Sequence, residues 1–273
     1  MVLKIDVHTH ALPDFFEEIL GKLGPAESGV PQISWSMDAT RRSMAELDIG
    51  ASMLSLSAPG SRIAPDRDGA RSLAKRFNEW AAEETKADPS RIGFFAAVPG
   101  LQDTDGCLAE IRYAFDELKA DAAHMIMTGT KRRYPDVKVI LAHGGGTLPL
   151  LSKRLAILES RLFLKELDAH SPKTFDEIIE DARSFYFDLA LCGTANVLDS
   201  LLLWAPEGHV LYGSDFPYAT VEAEYNTRRL EAYDIGMEER ERYYAGNSLV
   251  GFPRLQAEAP YRLASRRGMS QSS

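Results

Sequence analysis

The segment KIDVHTH, residues 4–10, places two imidazoles one residue apart at the end of an apolar run. On an extended chain a spacing of two turns His8 and His10 to the same side. Two neutral imidazoles on one face make half of a tetrahedral or five-coordinate site for a borderline divalent metal such as zinc. Asp6, on the same face by its spacing, either orients one ring or lies below the site. A lone His-X-His also fits a pair of surface histidines, so its meaning depends on what stands elsewhere in the chain. His143 follows VKVILA and precedes three glycines, which let the backbone turn tightly and approach a ligand. It reads as a functional residue or as a helix-capping histidine in a glycine-rich turn. Asp215, in LYGSDFP, reads as a metal ligand and proton acceptor or as the N-cap of the next helix, a role open to Ser214 as well. Asp188, in YFDLA, supports either this cluster or a neighbouring loop. His124, His170 and His209 read as packed or surface side chains.

The elements that must carry these residues alternate in type. Short apolar runs ending in Gly, Pro or polar residues predict strands at Lys4–His8, Ala51–Ser57, Ile92–Val98, Val137–Ala142, Phe185–Ala190 and Val210–Gly213. Helical periodicity predicts helices at Met37–Leu47, capped by Ser36, at Ala70–Glu84, at Leu148–Leu164 and at Ala195–Trp204. Near-continuous apolar strands alternating with helices imply a parallel α/β sheet covered on both faces. His8 and His10, His143, Asp215 and the Pro99-Gly100 turn all fall at strand ends. Reactive residues gathered at the carboxyl ends of parallel strands are the layout of a (β/α)-barrel site.

Composition narrows the partners. The 273 residues are 45% hydrophobic and 26% charged, with a net charge of −9 and a pI near 5.3. That balance argues against nucleic acid or an anionic membrane surface as the main partner. No apolar stretch approaches the ~20 residues of a membrane span, and the opening residues read as a strand where a signal sequence would be charged and then apolar. Cys107 and Cys192, far apart and outside any CxxC, read as packed reduced thiols. A cytoplasmic protein is expected. Residues 1–256 are expected to form one barrel domain, followed by a flexible tail over 257–273.

IDVHTH, LAHGGGTLP and LYGSDFP, in that order, resemble the amidohydrolase-related metal-dependent decarboxylases, the group of aminocarboxymuconate-semialdehyde and γ-resorcylate decarboxylases. SLSAPG, GFFAAVPGL and FDELKAD are similar to the 6-methylsalicylate decarboxylase branch. The resemblance implies a metal-dependent hydrolase, TIM-barrel-like fold. It makes His8, His10 and Asp215 ligands of a divalent metal, zinc before manganese, and His143 the acid/base beside it. It implies non-oxidative decarboxylation of a small aromatic acid, 6-methylsalicylate to m-cresol, and suggests a homodimer. A hydrolase of the same superfamily would use the same ligands, and a non-catalytic relic is the reading from another class.

One feature of the family has no counterpart. The ligand histidine of the fifth strand, usually followed by proline, is missing from this sequence. Only six strands are predicted where a full barrel has eight. Between Val98 and Val137 the apolar positions recur at helical spacing, which predicts one helix over Asp105–Met127. The join near Asp121–Ala122 therefore reads as a deletion of two βα units, roughly 30 residues each. An opened barrel of this kind would expose two strand edges.

Overall fold

The computed structural model describes residues 3–28, 33–100, 102–120, 122–123, 138–160 and 174–255. His124, His170, the end of the helix expected to reach Leu164 and the tail expected from 257 onward lie outside these residues. Seven strands are present among them: β1 (Lys4–Ala11), β2 (Ile49–Leu56), β3 (Ile92–Ala96), β4 (Ala122–Ala123), β5 (Ile140–Leu141), β6 (Tyr186–Asp188) and β7 (Val210–Leu211). The helices between them are α1 (Asp14–Ser28), α2 (Met37–Glu46), α3 (Arg67–Ala87), α4 (Thr104–Asp116), α5 (Leu148–Ser160), α6 (Phe175–Arg183), α7 (Ala195–Trp204) and α8 (Thr220–Ala232). Ser36 caps α2 by accepting from the Ala39 N–H, as its sequence predicts.

The strands are all parallel and form two sheets, β1-β2-β3-β4 and β5-β6-β7. The sheets meet at a seam between β1 and β7. There Val7 N–H donates to the Tyr212 carbonyl at 3.0 Å, and His10 N–H to the Phe216 carbonyl at 2.8 Å. Asp215 N–H donates back to the His8 carbonyl at 2.9 Å. The continuous order is thus β5-β6-β7-β1-β2-β3-β4, a (β/α)-barrel wall whose two ends, β4 and β5, do not pair among the described residues.

The core divides as this architecture requires. Ile5, Val7, Ala51, Met53, Phe95 and Leu211 fill the inner face, packed with Phe252 and Leu255 of the C-terminal segment. The outer face packs against the helices through residues such as Phe16, Met44, Phe77, Phe94, Leu201 and Tyr212. Lys4, fully buried, is satisfied on that outer side by the Leu47 carbonyl at 2.9 Å and Glu231 at 2.8 Å.

The expected single helix over Asp105–Met127 is corrected. Helix α4 ends at Asp116, Lys119 takes a left-handed φ of 59°, and Ala120 N–H returns to the Ala114 carbonyl at 2.9 Å. Ala122 and Ala123 then pair with Phe95 and Ala96 as β4, so the described strands number seven where six were predicted. Two alanines carry no strand pattern, and no glycine marks the helix end. Pairing with an already formed β3 decides the conformation.

The loop from β3 into α4 is fixed by one carboxylate. Asp103 caps α4 by accepting from Gly106 N–H at 3.2 Å, and Arg71 on α3 grips it in a fork at 2.6 and 2.7 Å. The hydrogen bond from Arg71 holds the Asp103 carboxyl down to about 2. A depressed folded-state value stabilises the fold above the unfolded value of about 3.9. That contribution disappears as pH falls through about 2. Asp103→Asn is therefore expected to be less stable than wild type at neutral pH. The gap between the two urea-unfolding midpoints is expected to narrow from about pH 4 downward. A gap that stays constant down to pH 2 would contradict this assignment.

Candidate metal centre

The two histidines of β1 are placed by a break in the strand's regularity. The register with β2 shifts between Asp6 and Thr9, so side-chain alternation is interrupted where the imidazoles begin. Asp6 is buried and does not touch either ring. One of its oxygens accepts from the backbone N–H groups of His8 and Ser214, both at 3.0 Å, and the other from the Thr9 hydroxyl at 2.9 Å. Burial pushes this carboxyl up, and these hydrogen bonds oppose the shift. Of its two expected positions, Asp6 occupies the one below the site, clamping β1 to β7.

Gly213 explains how β7 can run so close to β1. A Cβ there would stand 2.8 Å from the His8 Cβ and 3.2 Å from that of Asp188. Beyond it Asp215 adopts a φ of 64°. Helix α8 starts only at Thr220 with Ala219 at its N-cap position, so neither Asp215 nor Ser214 caps it. The Ser214 hydroxyl instead accepts from Phe216 N–H at 3.1 Å.

These constraints bring three ligand atoms into a near-equilateral triangle. His8 Nε2 and His10 Nε2 lie 3.2 Å apart, His8 Nε2 is 3.2 Å from Asp215 Oδ1, and His10 Nε2 is 3.1 Å from the same oxygen. Ligands bound at ~2.0–2.1 Å around one tetrahedral zinc stand about 3.3 Å apart. The donor set and its spacing therefore fit one divalent ion, with coordination positions left for a substrate.

Electrostatics agree with the geometry. Asp188 Oδ2 lies 2.8 Å from His8 Nδ1, so that nitrogen is an N–H donor and Nε2 is the ring atom that faces the triangle. Burial alone would lower His8, yet the charges and hydrogen bonds of Asp188 and Asp215 hold it up at about 10, so an ion binding at its Nε2 displaces a proton. His10 is pushed down, first by burial and then by the neighbouring His8, against the pull of Asp215. Burial would raise Asp215, but its hydrogen bonds with His10 and His8 hold it well below the usual carboxylate range. A proton on His8 Nε2 supplies the positive charge among these three atoms, and a divalent ion would take its place. The buried His10 Nδ1 has no hydrogen-bond partner among the described residues.

His143 stands beside this triangle at the tip of β5. Its ring centroid is 4.9 Å from that of His8. The residue opens a short turn with a φ of 54°, and helix α5 begins only at Leu148, so it is not a helix cap. Its N–H donates to Asp188 Oδ1 at 3.0 Å, and its Nδ1 lies 3.2 Å from the Ala190 carbonyl. A carbonyl only accepts, so Nδ1 carries the proton and Nε2 is free to exchange one. Asp188 thus orients both histidines at once, and its place in the cluster answers the question left open by its sequence.

Tyr218 and Ser57 are the participants that sequence reasoning missed. The Tyr218 ring packs edge-on against His10 with centroids 4.9 Å apart, and its hydroxyl lies 2.6 Å from Ser57 Oγ. Only the position of Tyr218, three residues after Asp215, could have suggested it. His209 has the bland role expected, stacked on Tyr186 at 4.5 Å. Cys107 and Cys192 are free and buried. Burial pushes the Cys192 thiol up to about 12. Among the described residues, no helix is long and apolar enough to cross a membrane.

Comparison with known proteins shows the family and the fold. Residues 121–250 match the amidohydrolase family. The chain is 31% identical to 6-methylsalicylic acid decarboxylase of Penicillium expansum, over 92% of this chain and 97% of that protein. It is 32% identical to the decarboxylase yanB of Aspergillus niger, over 95% and 90% of the two chains. The first alignment runs to 322 positions, more than the 273 residues of the whole chain, so the relative contains residues with no counterpart here. The excess, at least about 50 positions, is of the order of two βα units. Among solved structures, 5-carboxyvanillate decarboxylase LigW of Sphingomonas paucimobilis superposes with a TM-score of 0.77 at 15% identity, covering 93% of this chain and 99% of that one. A dihydroxybenzoic acid decarboxylase from a Polaromonas species, solved with manganese and 2-nitroresorcinol, gives 0.74 at 19% identity, covering 93% and 97%. The ordered strand-tip motifs, the parallel barrel wall and near-full-length similarity lead to one conclusion: this chain belongs to the amidohydrolase-related, metal-dependent decarboxylase family.

Proposed function

We propose that this protein is a metal-dependent, non-oxidative decarboxylase of a small salicylate-type acid, with 6-methylsalicylate, giving m-cresol, as its substrate. The observation that carries the proposal is the 3.1–3.2 Å triangle of His8, His10 and Asp215 with the His143 ring beside it. His8, His10 and Asp215 would hold the ion, zinc in the first place given two imidazole donors, or manganese. When bound, that ion offsets the negative charge of the acid and its ortho-hydroxyl and orients both.

The chemical difficulty is the carbanion that loss of CO₂ would leave. Placing a proton on the ring carbon that bears the carboxylate avoids it. The C–C bond can then break with its electron pair returning to the ring. His143 is the residue suited to deliver that proton. Its Nδ1 is committed to the Ala190 carbonyl, so proton exchange is confined to Nε2, and its exposure lets solvent restore the proton after turnover. Asp215 is less suited as the acid, because one of its oxygens is already shared by both imidazoles and its carboxyl is held ionised.

Three outcomes test this reading. Metal-loaded wild-type protein is expected to convert 6-methylsalicylate to m-cresol, measured by chromatography. His143→Ala is expected to lower kcat by about 10²–10⁴-fold while keeping its metal; conversion within about tenfold of wild type would remove His143 from the mechanism. His8→Ala, His10→Ala and Asp215→Ala are each expected to retain less than about a tenth of an equivalent of metal by mass spectrometry. Full metal content in any of the three would show that the triangle is not the centre.

A further inference from the structure

The His143 ring is only as well placed as the carbonyl it faces, and that carbonyl belongs to a turn after β6. Ala190 and Leu191 are its central residues, and Cys192 N–H closes it by donating to the Leu189 carbonyl at 3.1 Å. Leu191 takes a left-handed φ of 57°, a conformation that a non-glycine residue holds only when its surroundings impose it. The Leu191 side chain is 45% exposed and does not anchor the turn. The anchor comes from helix α8.

One side chain spans the turn. Asn226, buried on α8, donates from Nδ2 to the Leu189 carbonyl at 3.1 Å and accepts at Oδ1 from Gly193 N–H. Its amide thus ties the residues on either side of Ala190, Leu191 and Cys192. Arg229, three residues further along α8, donates from Nε to the Gly193 carbonyl at 3.1 Å. The fit is close: a Cβ on Gly193 would stand 2.7 Å from both the Asn226 backbone oxygen and its Oδ1. Between the tied ends the Ala190 carbonyl faces His143 Nδ1 at 3.2 Å. Neither of the two side-chain hydrogen bonds of Asn226 goes to His143 or to the ligand triangle.

We infer that Asn226 is a positioning residue for His143, acting through residues 189–193: its amide holds the Ala190 carbonyl where that carbonyl orients the ring and keeps a proton on Nδ1. The inference rests on the decarboxylase reading above for the use made of the ring. When Nε2 gives its proton to the substrate carbon, the imidazole is left neutral with its remaining proton on Nδ1, and the Ala190 carbonyl accepts that proton throughout. A neutral imidazole carries its proton on either nitrogen, and in water a histidine favours Nε2. Without the Asn226 amide the turn relaxes from the left-handed φ of Leu191, the carbonyl leaves Nδ1, and the ring reverts to the Nε2–H form with its lone pair on the wrong nitrogen. Asn226 acts from behind the turn, so its loss lowers kcat and leaves KM in place.

The position of the proton can be read without turnover. In zinc-loaded, nitrogen-15-labelled protein at about pH 8, where an ordinary imidazole is neutral, magnetic resonance distinguishes a protonated from an unprotonated ring nitrogen, and His143→Ala assigns the signals. Wild type is expected to show the Nδ1–H form of His143. Asn226→Ala is expected to move it to the Nε2–H form or to an average of the two, and to lower kcat by about 10- to 100-fold with KM within about twofold. Thr227→Ala is the control for a purely structural effect. It removes a buried hydrogen bond to Tyr212, 2.9 Å long, from the next residue of α8 and leaves the turn alone. It is expected to keep the Nδ1–H form. Unchanged His143 signals in Asn226→Ala, the same change in Thr227→Ala, or an Nε2–H form in wild type would overturn the inference. Should Asn226→Ala not fold, Gly193→Ala pushes the turn away from Asn226 by the Cβ clash and is expected to move the proton in the same way; an Nδ1–H form there would overturn the inference too. A proton that moves as expected in a protein whose wild type forms no m-cresol would sink the decarboxylase reading alone.

Discussion

The site depends on how closely β7 can lie against β1. Gly213 permits the approach, and the buried Asp6 carboxylate holds it by accepting from backbone N–H groups on both strands. Asp215 N–H adds a bond to the His8 carbonyl. With the backbones locked in this way, ligands from the two ends of the chain meet within about one coordination radius of a common point. A carboxylate buried for such a purpose is costly unless its hydrogen bonds are made. All of those made by Asp6 go to the two tips that carry the ligands.

The shortened barrel does not break this arrangement. The wall runs β5-β6-β7-β1-β2-β3-β4, and the unpaired ends among the described residues are β4 and β5. His143, Asp188, Asp215 and the two histidines of β1 all lie on the contiguous stretch from β5 to β1. Among the described residues, β4 and β5 remain unpaired with each other. The three-residue triangle and its orienting carboxylate remain.

Asp188 couples two functions that the sequence presents as separate. One of its oxygens orients His8, and the other holds the His143 and Ala190 N–H groups, while the Ala190 carbonyl sets the tautomer of His143. The His8–His10–Asp215 triangle and the His143 ring therefore share one support. A shift of β6 would disturb both together, in keeping with the general dependence of metal sites on the groups behind their ligands.

Much of this was legible in the sequence. The spacing of His8 and His10, the glycine run after His143 and the LYGSDFP segment identified strand tips, because glycine and polar residues interrupt apolar runs in a way that periodicity reveals. Helix α7 and the Ser36 cap could be read for the same local reasons. Strand β4 could not, since two alanines pair only because β3 is already there, and Lys119 ends α4 without a glycine to announce it. The partner of the His8 ring was equally hidden. Asp6 is two residues away and Asp188 is 180, yet it is Asp188 that reaches the ring. The amino-acid sequence by itself determined which groups could bind an ion and that they stand at the ends of parallel strands. Only the tertiary structure decided which of them touch, because hydrogen bonds across the β1–β7 seam, and not proximity along the chain, set those distances.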